Sequence, residues 1–282
     1  MVNIMKRITK ITAMWISLLS IMLILGCSGE QDTQTSEKQE SKTAGHPGHW
    51  GYAEENGPAK WASLDAAYSE CGQGHSQSPI NIISPSTDDH PEWITEYGTT
   101  KLQIAHHQHV ENIVDNGHTI QVNYSKGSKL TVEEEVYELK QFHFHTPSEN
   151  TVDGNHYPME MHMVHQSTDG ALAVYAVFFE QGDHNSNFDA IVKNLPSKAG
   201  EKHDLSNVTI DINTLLPASE NAYHFTGSLT TPPCSENVNW LVAVEPVPMS
   251  PEQLNEFAKR LNNNNRPTQP LYGRTITVDE LD

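Results

Sequence analysis

Basic side chains are scarce in this sequence: 17 Lys and Arg stand against 36 Asp and Glu, a formal charge of −19. A surface of that sign repels phosphate backbones, and no stretch gathers a basic patch, so nucleic acid is excluded as a partner. The excess of acid reads as a solvated surface. Long apolar runs are also missing. The longest, Ile11 to Leu25, is broken by Thr12, Ser17 and Ser20 and falls short of the roughly 20 residues that a membrane-spanning helix needs, which excludes a polytopic membrane protein. With 36% hydrophobic and 19% charged side chains over 282 residues, the chain is neither collagenous nor wholly disordered. Its length suits one large domain or two modest ones. Cysteine is reduced to Cys27, Cys71 and Cys234.

Lys6, Arg7 and Lys10 precede the apolar run, which ends at Gly26-Cys27, the layout of a signal peptide. The small residue before a cysteine resembles the lipobox of bacterial lipoproteins, with Leu25 an unusual residue before Gly26. We therefore expect residues 1–26 to be removed and Cys27 to carry lipid, giving a membrane-anchored lipoprotein exported to the periplasm or cell surface. An uncleaved anchor, or ordinary cleavage beside an incidental cysteine, are the alternatives. From Ser28 to about Gly45 the chain is Gln, Ser, Thr, Glu and Lys with little apolar content. That composition cannot offset ordering entropy, so residues 27–45 read as a flexible tether. If Cys27 is lipidated, Cys71 and Cys234 remain as an even pair in an oxidising compartment, where a disulfide is expected in place of two buried thiols.

From 46 to 282 there is no second linker and no repeat, and Asn262 to Asn265 is the one low-complexity block. One domain is the economical reading. Short alternating segments such as His118 to Tyr124 and Lys129 to His145, separated by Asn116-Gly117, Lys126-Gly127 and Asp153-Gly154, read as strands. Ala171 to Phe179 is apolar without alternation, as expected of a strand covered on both faces. Helices are expected at Lys60 to Cys71, Asn187 to Leu195 and Ser250 to Leu261, the last with a capping Ser250, Pro251 at the first helical position and Gln253 completing a capping box. The result is a mainly β fold with short peripheral helices.

In Gln141-Phe142-His143-Phe144-His145, strand alternation puts Gln141, His143 and His145 on one face and the two phenylalanines on the other. Glu160-Met161-His162-Met163-Val164 repeats the device. Three neutral imidazoles with no anionic ligand would leave a zinc ion its full charge and an open fourth position for water, a strong Lewis acid. Gln141 and Glu160 are placed to accept the remaining ring N–H groups and fix their tautomers. A His-x-His pair is weak by itself among 16 histidines, and His162 adds to it without proving convergence. His106, His107 and His109 form a separate cluster that reads as exposed surface.

These segments, with Pro-Ser-Glu149, Ser228-Leu-Thr-Thr-Pro-Pro-Cys-Ser-Glu236, Trp50-Gly-Tyr52, Asn56-Gly-Pro58, Gln77-Ser-Pro-Ile-Asn81, Asn116-Gly-His118 and Asn265-Arg-Pro-Thr-Gln-Pro270, closely resemble the α-class carbonic anhydrases, particularly the bacterial exported form. The resemblance runs from about Trp50 to Arg274. It implies a single domain around a large, twisted, mostly antiparallel sheet, and an enzyme that reversibly hydrates carbon dioxide to bicarbonate by attack of zinc-bound hydroxide.

By that resemblance His143, His145 and His162 are the Zn2+ ligands, Thr230 accepts the hydroxide proton and Glu149 accepts from Thr230. Val164, Val174, Leu229 and Trp240 form an apolar wall for carbon dioxide, and Thr231 contacts bicarbonate. His118 is the proton shuttle, a role that suits an imidazole titrating near neutrality. Tyr52, Asn116 and Gln121 order the water between shuttle and metal. Thr146 and Asn150 depart from the family pattern; many relatives carry histidine at the second position. Esterase activity is a candidate side reaction, and a homodimer is a candidate assembly that the sequence does not fix. The rival to an enzyme is a non-catalytic zinc-binding or adhesive surface lipoprotein with the same fold, which would be expected to have lost part of the set His143, His145, His162, Glu149 and Thr230.

Overall fold

Phe142 and Phe144 are fully buried on one face of the strand Glu135–His145, and that face sets where the core lies. The computed structural model describes residues 48–83, 103–105, 110–125, 127–132, 135–219 and 221–279. The expected signal peptide, lipidation site, tether and the His106, His107 and His109 cluster lie outside the described residues.

A 12-stranded sheet dominates. Its main path runs Lys202–Asp204, Val110–Asp115, Ile120–Tyr124, Glu135–His145, Met159–Gln166, Leu172–Gln181, Glu236–Ala243, Ala222–Ser228 and Thr277–Asp279. Neighbours are antiparallel except where Leu172–Gln181 runs parallel to Glu236–Ala243 and Val247–Met249. The architecture is thus the large, mostly antiparallel sheet expected. Leu172–Gln181 is covered on both sides: Ala173, Tyr175, Val177 and Phe179 enter the main core, and Val174, Ala176 and Phe178 enter a second cluster with Ile80, Phe225 and Trp240. Double coverage explains the unbroken apolar run.

The stretch expected as one strand from Lys129 to His145 is two, Lys129–Val132 and Glu135–His145, which pair antiparallel. The helix expected over Lys60 to Cys71 is also divided, into Trp61–Leu64, a single 3-10 turn at Ala66–Tyr68, and Glu70–Gln73. Asp65 causes the break. Its backbone is extended and its carboxylate accepts from the Ala67 N–H at 2.8 Å, starting a new turn. At the C-terminal end the helix Pro251–Leu261 forms with its full capping box, and Asn262 closes it in the left-handed region. Phe257 from this helix packs against Phe144 with ring centroids 4.6 Å apart, supporting the strand Glu135–His145 on its phenylalanine face.

Cys71 and Cys234 are joined by a disulfide with Cα atoms 5.0 Å apart, closing a sequence separation of 163 residues. On chain-entropy grounds a loop of that length contributes about 5 kcal/mol. The bond lies among Trp61, Tyr68 and Leu64 and holds the segment that carries Thr230 and Thr231: the Cys234 N–H donates to the Thr231 carbonyl at 2.9 Å.

Candidate active site

Antiparallel pairing sets the site. His143 stands opposite His162, His145 opposite Glu160, and Gln121 opposite His143 on the other side. Because alternate residues share a face, the register brings three imidazoles together, with ring centroids 4.6 to 5.3 Å apart. One ring nitrogen from each lies within 4.8 Å of the others.

The outer nitrogens identify the inner ones. His143 Nδ1 lies 2.9 Å from Gln141 Oε1, and His145 Nδ1 lies 2.7 Å from the Asn264 carbonyl. His162 Nε2 lies 3.0 Å from Glu160 Oε1, within reach of it but off the line of a good hydrogen bond. That leaves His143 Nε2, His145 Nε2 and His162 Nδ1 facing the common space. His145 Nε2 is buried without a hydrogen-bond partner among the described residues, a costly state for a polar atom unless a guest satisfies it.

Burial holds all three imidazoles neutral: it lowers His143 and His162 well below the ordinary histidine range and brings His145 to about 4. Neutral rings keep a lone pair each, so the donor set fits a borderline-soft dication such as zinc. Gln141, the Asn264 carbonyl and Glu160 are the outer acceptors that such ligands require.

Glu149 is wholly buried beside this cage. Its Oε1 accepts from the Arg266 N–H at 2.8 Å, and its Oε2 lies 3.4 Å from His145 Nε2 and 3.8 Å from His162 Nδ1. Burial pushes the carboxyl up to about 8, opposed by the Arg266 N–H and then by the nearby Thr230 side chain. Oε2 nevertheless has no hydrogen-bond partner of good geometry among the described residues, so the Thr230 contact is proximity without alignment. Glu160 is pushed to about 7 by burial, opposed by the Asn150 side chain and backbone.

A cleft of about 140 Å³ opens onto the cage, lined by Trp50, Tyr52, Asn116, His118, Gln121 and Thr231 with the ligand face of His143 and His145. It has room for a few water-sized molecules beside the cage. Trp240 and Val174 are buried beside the cage, with partly buried Val164 and Leu229 in the same cluster. Trp240 meets His162 edge-on at 4.9 Å. Asn116 Oδ1 caps the turn by accepting from the His118 and Thr119 N–H groups, and its amide reaches Gln121 Oε1 at 3.3 Å. His118 is half-buried and stacks on the Trp50 indole, centroids 3.8 Å apart and 11° from parallel. Burial lowers its pKa, the charge of His49 lowers it further, and Asp115 opposes both.

Two positioning groups escaped the sequence reading. Asn264, which supports His145, lay inside what read as a low-complexity asparagine run. Arg266 is buried, anchored by its guanidinium to the Gln77 side chain and to the Ser78 and Cys71 carbonyls while its N–H holds Glu149. The motif Asn265-Arg-Pro was the available signal for both.

Residues 56–280 match the family model described as eukaryotic-type carbonic anhydrase. A carbonic anhydrase of Pectobacterium atrosepticum is 42% identical over 237 residues, covering 84% of this chain and 93% of the relative. Dioscorin DB3L of Dioscorea polystachya is 34% identical over 230 residues, 78% of this chain and 82% of the relative. Among solved structures, the α-carbonic anhydrase of Thermovibrio ammonificans in complex with sulfanilamide superposes with a TM-score of 0.77 at 40% identity, covering 82% of this chain and 99% of that one.

Proposed function

The chain belongs to the eukaryotic-type, or α, carbonic anhydrase family, and from that premise we propose that it hydrates carbon dioxide reversibly to bicarbonate and a proton at a zinc ion held by His143, His145 and His162. The observation that carries the reading is the trio of converging neutral imidazoles, with the outer nitrogens of His143 and His145 on Gln141 and the Asn264 carbonyl and that of His162 3.0 Å from Glu160. Zinc, when bound, supplies Lewis acidity that makes hydroxide available near pH 7, the property for which carbonic anhydrase is the standard example. Stopped-flow hydration of carbon dioxide by the zinc-loaded chain tests it.

In this reading the Thr230 hydroxyl, near Glu149 but not aligned with it in this structure, turns its proton to Glu149 Oε2 and keeps only lone pairs for a partner in the cleft. It therefore accepts from a hydroxide or a bicarbonate hydroxyl and rejects species with no proton to give. An ionised Glu149 needs positive charge nearby to offset its burial. Arg266 supplies part of it, and a dication in the cage supplies more. Val164, Val174, Leu229 and Trp240, which share one apolar cluster, would form a wall suited to an uncharged gas, and Thr231, which lines the cleft, would contact bicarbonate.

His118 takes the proton out. Its imidazole lines the cleft with Tyr52, Asn116 and Gln121, and we assign it to accept the proton through water that these three side chains order. Since its pKa is lowered, the neutral accepting form persists to pH values below 6.5, and the acid limb of kcat should lie there. Replacing His118 with Ala should lower kcat by about tenfold or more in weak buffer while kcat/KM and zinc content hold, with added imidazole restoring kcat. A collapse of kcat/KM would assign His118 a different role.

We also propose export and lipid anchoring through Cys27, on the strength of the N-terminal charge and apolar pattern. Intact-mass analysis of exported protein should show acyl mass on Cys27 and a gain of two hydrogens when the Cys71–Cys234 bond is reduced. An unmodified Cys27 after export would refute the anchor, and free thiols would refute oxidation in that compartment.

A further inference from the structure

Asn150 is fully buried and uses both ends of its amide. Its Oδ1 accepts from the Ile80 N–H at 3.0 Å, and its Nδ2 donates to Glu160 Oε1 at 2.7 Å. Its own N–H donates to Glu160 Oε2 at 2.8 Å, beside the Glu149 N–H at 2.7 Å. Two consecutive residues thus give Glu160 three donors. The amide holds Oε1, the oxygen that stands 3.0 Å from His162 Nε2.

The direction of the amide is fixed by what surrounds it. The Ile80 N–H requires an acceptor and Glu160 requires a donor; the reverse setting would put N–H against N–H and carbonyl against carboxyl. The two main-chain donors both hold Oε2 and leave the far oxygen free to swing about a terminal torsion whose energy profile is broad. Among the described residues the Asn150 amide makes the one hydrogen bond of good geometry to Oε1, since His162 Nε2 at 3.0 Å is out of line with it.

We propose that Asn150 is a positioning residue for the metal site: it locks the carboxylate of Glu160, and through it the ring orientation that presents His162 Nδ1 to the cage. This inference rests on the zinc reading of the cage.

The test is zinc affinity of the metal-free full chain, by competition with a chromophoric chelator, for the unaltered protein, Asn150→Ala, Glu160→Gln and the double variant. Asn150→Ala should raise the zinc Kd about 10- to 100-fold while the metal-free protein keeps its near-UV circular dichroism. In the Glu160→Gln background the same change should alter Kd by about twofold or less, because both substitutions act on one group. An unchanged Kd, or an equal fold loss in both backgrounds, would overturn the proposal, since a purely structural asparagine gives the latter. Should Asn150→Ala fail to fold, Asn150→Asp keeps the volume and the acceptor for Ile80 while removing the donor. It should weaken zinc comparably, and undiminished affinity would overturn the proposal. An unaltered chain that binds no zinc overturns both the function and this inference; tight zinc in the unaltered chain and Asn150→Ala alike removes the inference alone.

Discussion

Replacing His143 with Ala should strip most of the zinc from the protein and lower carbon dioxide hydration by a factor on the order of 10³ or more. The size follows from the ligand count. Three imidazoles are the whole protein contribution to the cage, and among the described residues no other group of histidine, cysteine, aspartate or glutamate side chains is assembled to replace one. The fold should survive, because among the described residues the His143 side chain bonds to Gln141 on its own strand and takes no part in the apolar core. Metal analysis, stopped-flow hydration and thermal melting on one preparation check all three parts. Full zinc with normal turnover would remove His143 from the site.

Glu149→Gln should leave zinc nearly in place and lower kcat/KM about 100-fold, the scale of loss when a reacting group is misdirected without being removed. In the proposed relay Glu149 must accept in two directions, from the Arg266 N–H, which it does at 2.8 Å, and from the Thr230 hydroxyl. Glutamine can accept with one end only. If its oxygen stays on Arg266, the NH2 meets the Thr230 oxygen, the hydroxyl turns its proton into the cleft, and the filter that admits proton donors is inverted. If the amide flips, an N–H confronts the Arg266 N–H in a buried place. Steady-state kinetics with metal analysis separates this from a ligand defect. Unchanged kcat/KM would contradict the relay, and zinc loss as deep as that of His143→Ala would make Glu149 part of the cage.

The strand period made the core of the site legible. Two-residue alternation in 141–145 and 160–164 put the right side chains on one face, and the observed register, His143 opposite His162, joined the faces. The lack of alternation over Ala171 to Phe179 read the double coverage of that strand, and the residue types at Ser250, Pro251 and Gln253 read the capping box of Pro251–Leu261. The acceptor for His145 was less legible because it is a main-chain carbonyl 119 residues away, at Asn264. Carbonyls carry no side-chain signature. The break at Asp65 was missed because an aspartate is tolerated inside a helix pattern until tertiary contacts draw Trp61 and Cys71 to one cluster. Arg266 was read as part of a motif without a role, since four partners spread from Cys71 to Glu149 exist only after folding.

The measurement that bears most directly on the account is stopped-flow carbon dioxide hydration by the metal-free full chain as zinc is returned in steps. The account predicts activity that rises in proportion to zinc, stops at one ion per chain, and is absent throughout the same titration of His143→Ala. Zinc bound one to one at His143, His145 and His162 with hydration no faster than the buffer would contradict it and leave a metal-binding protein that does not carry out the reaction.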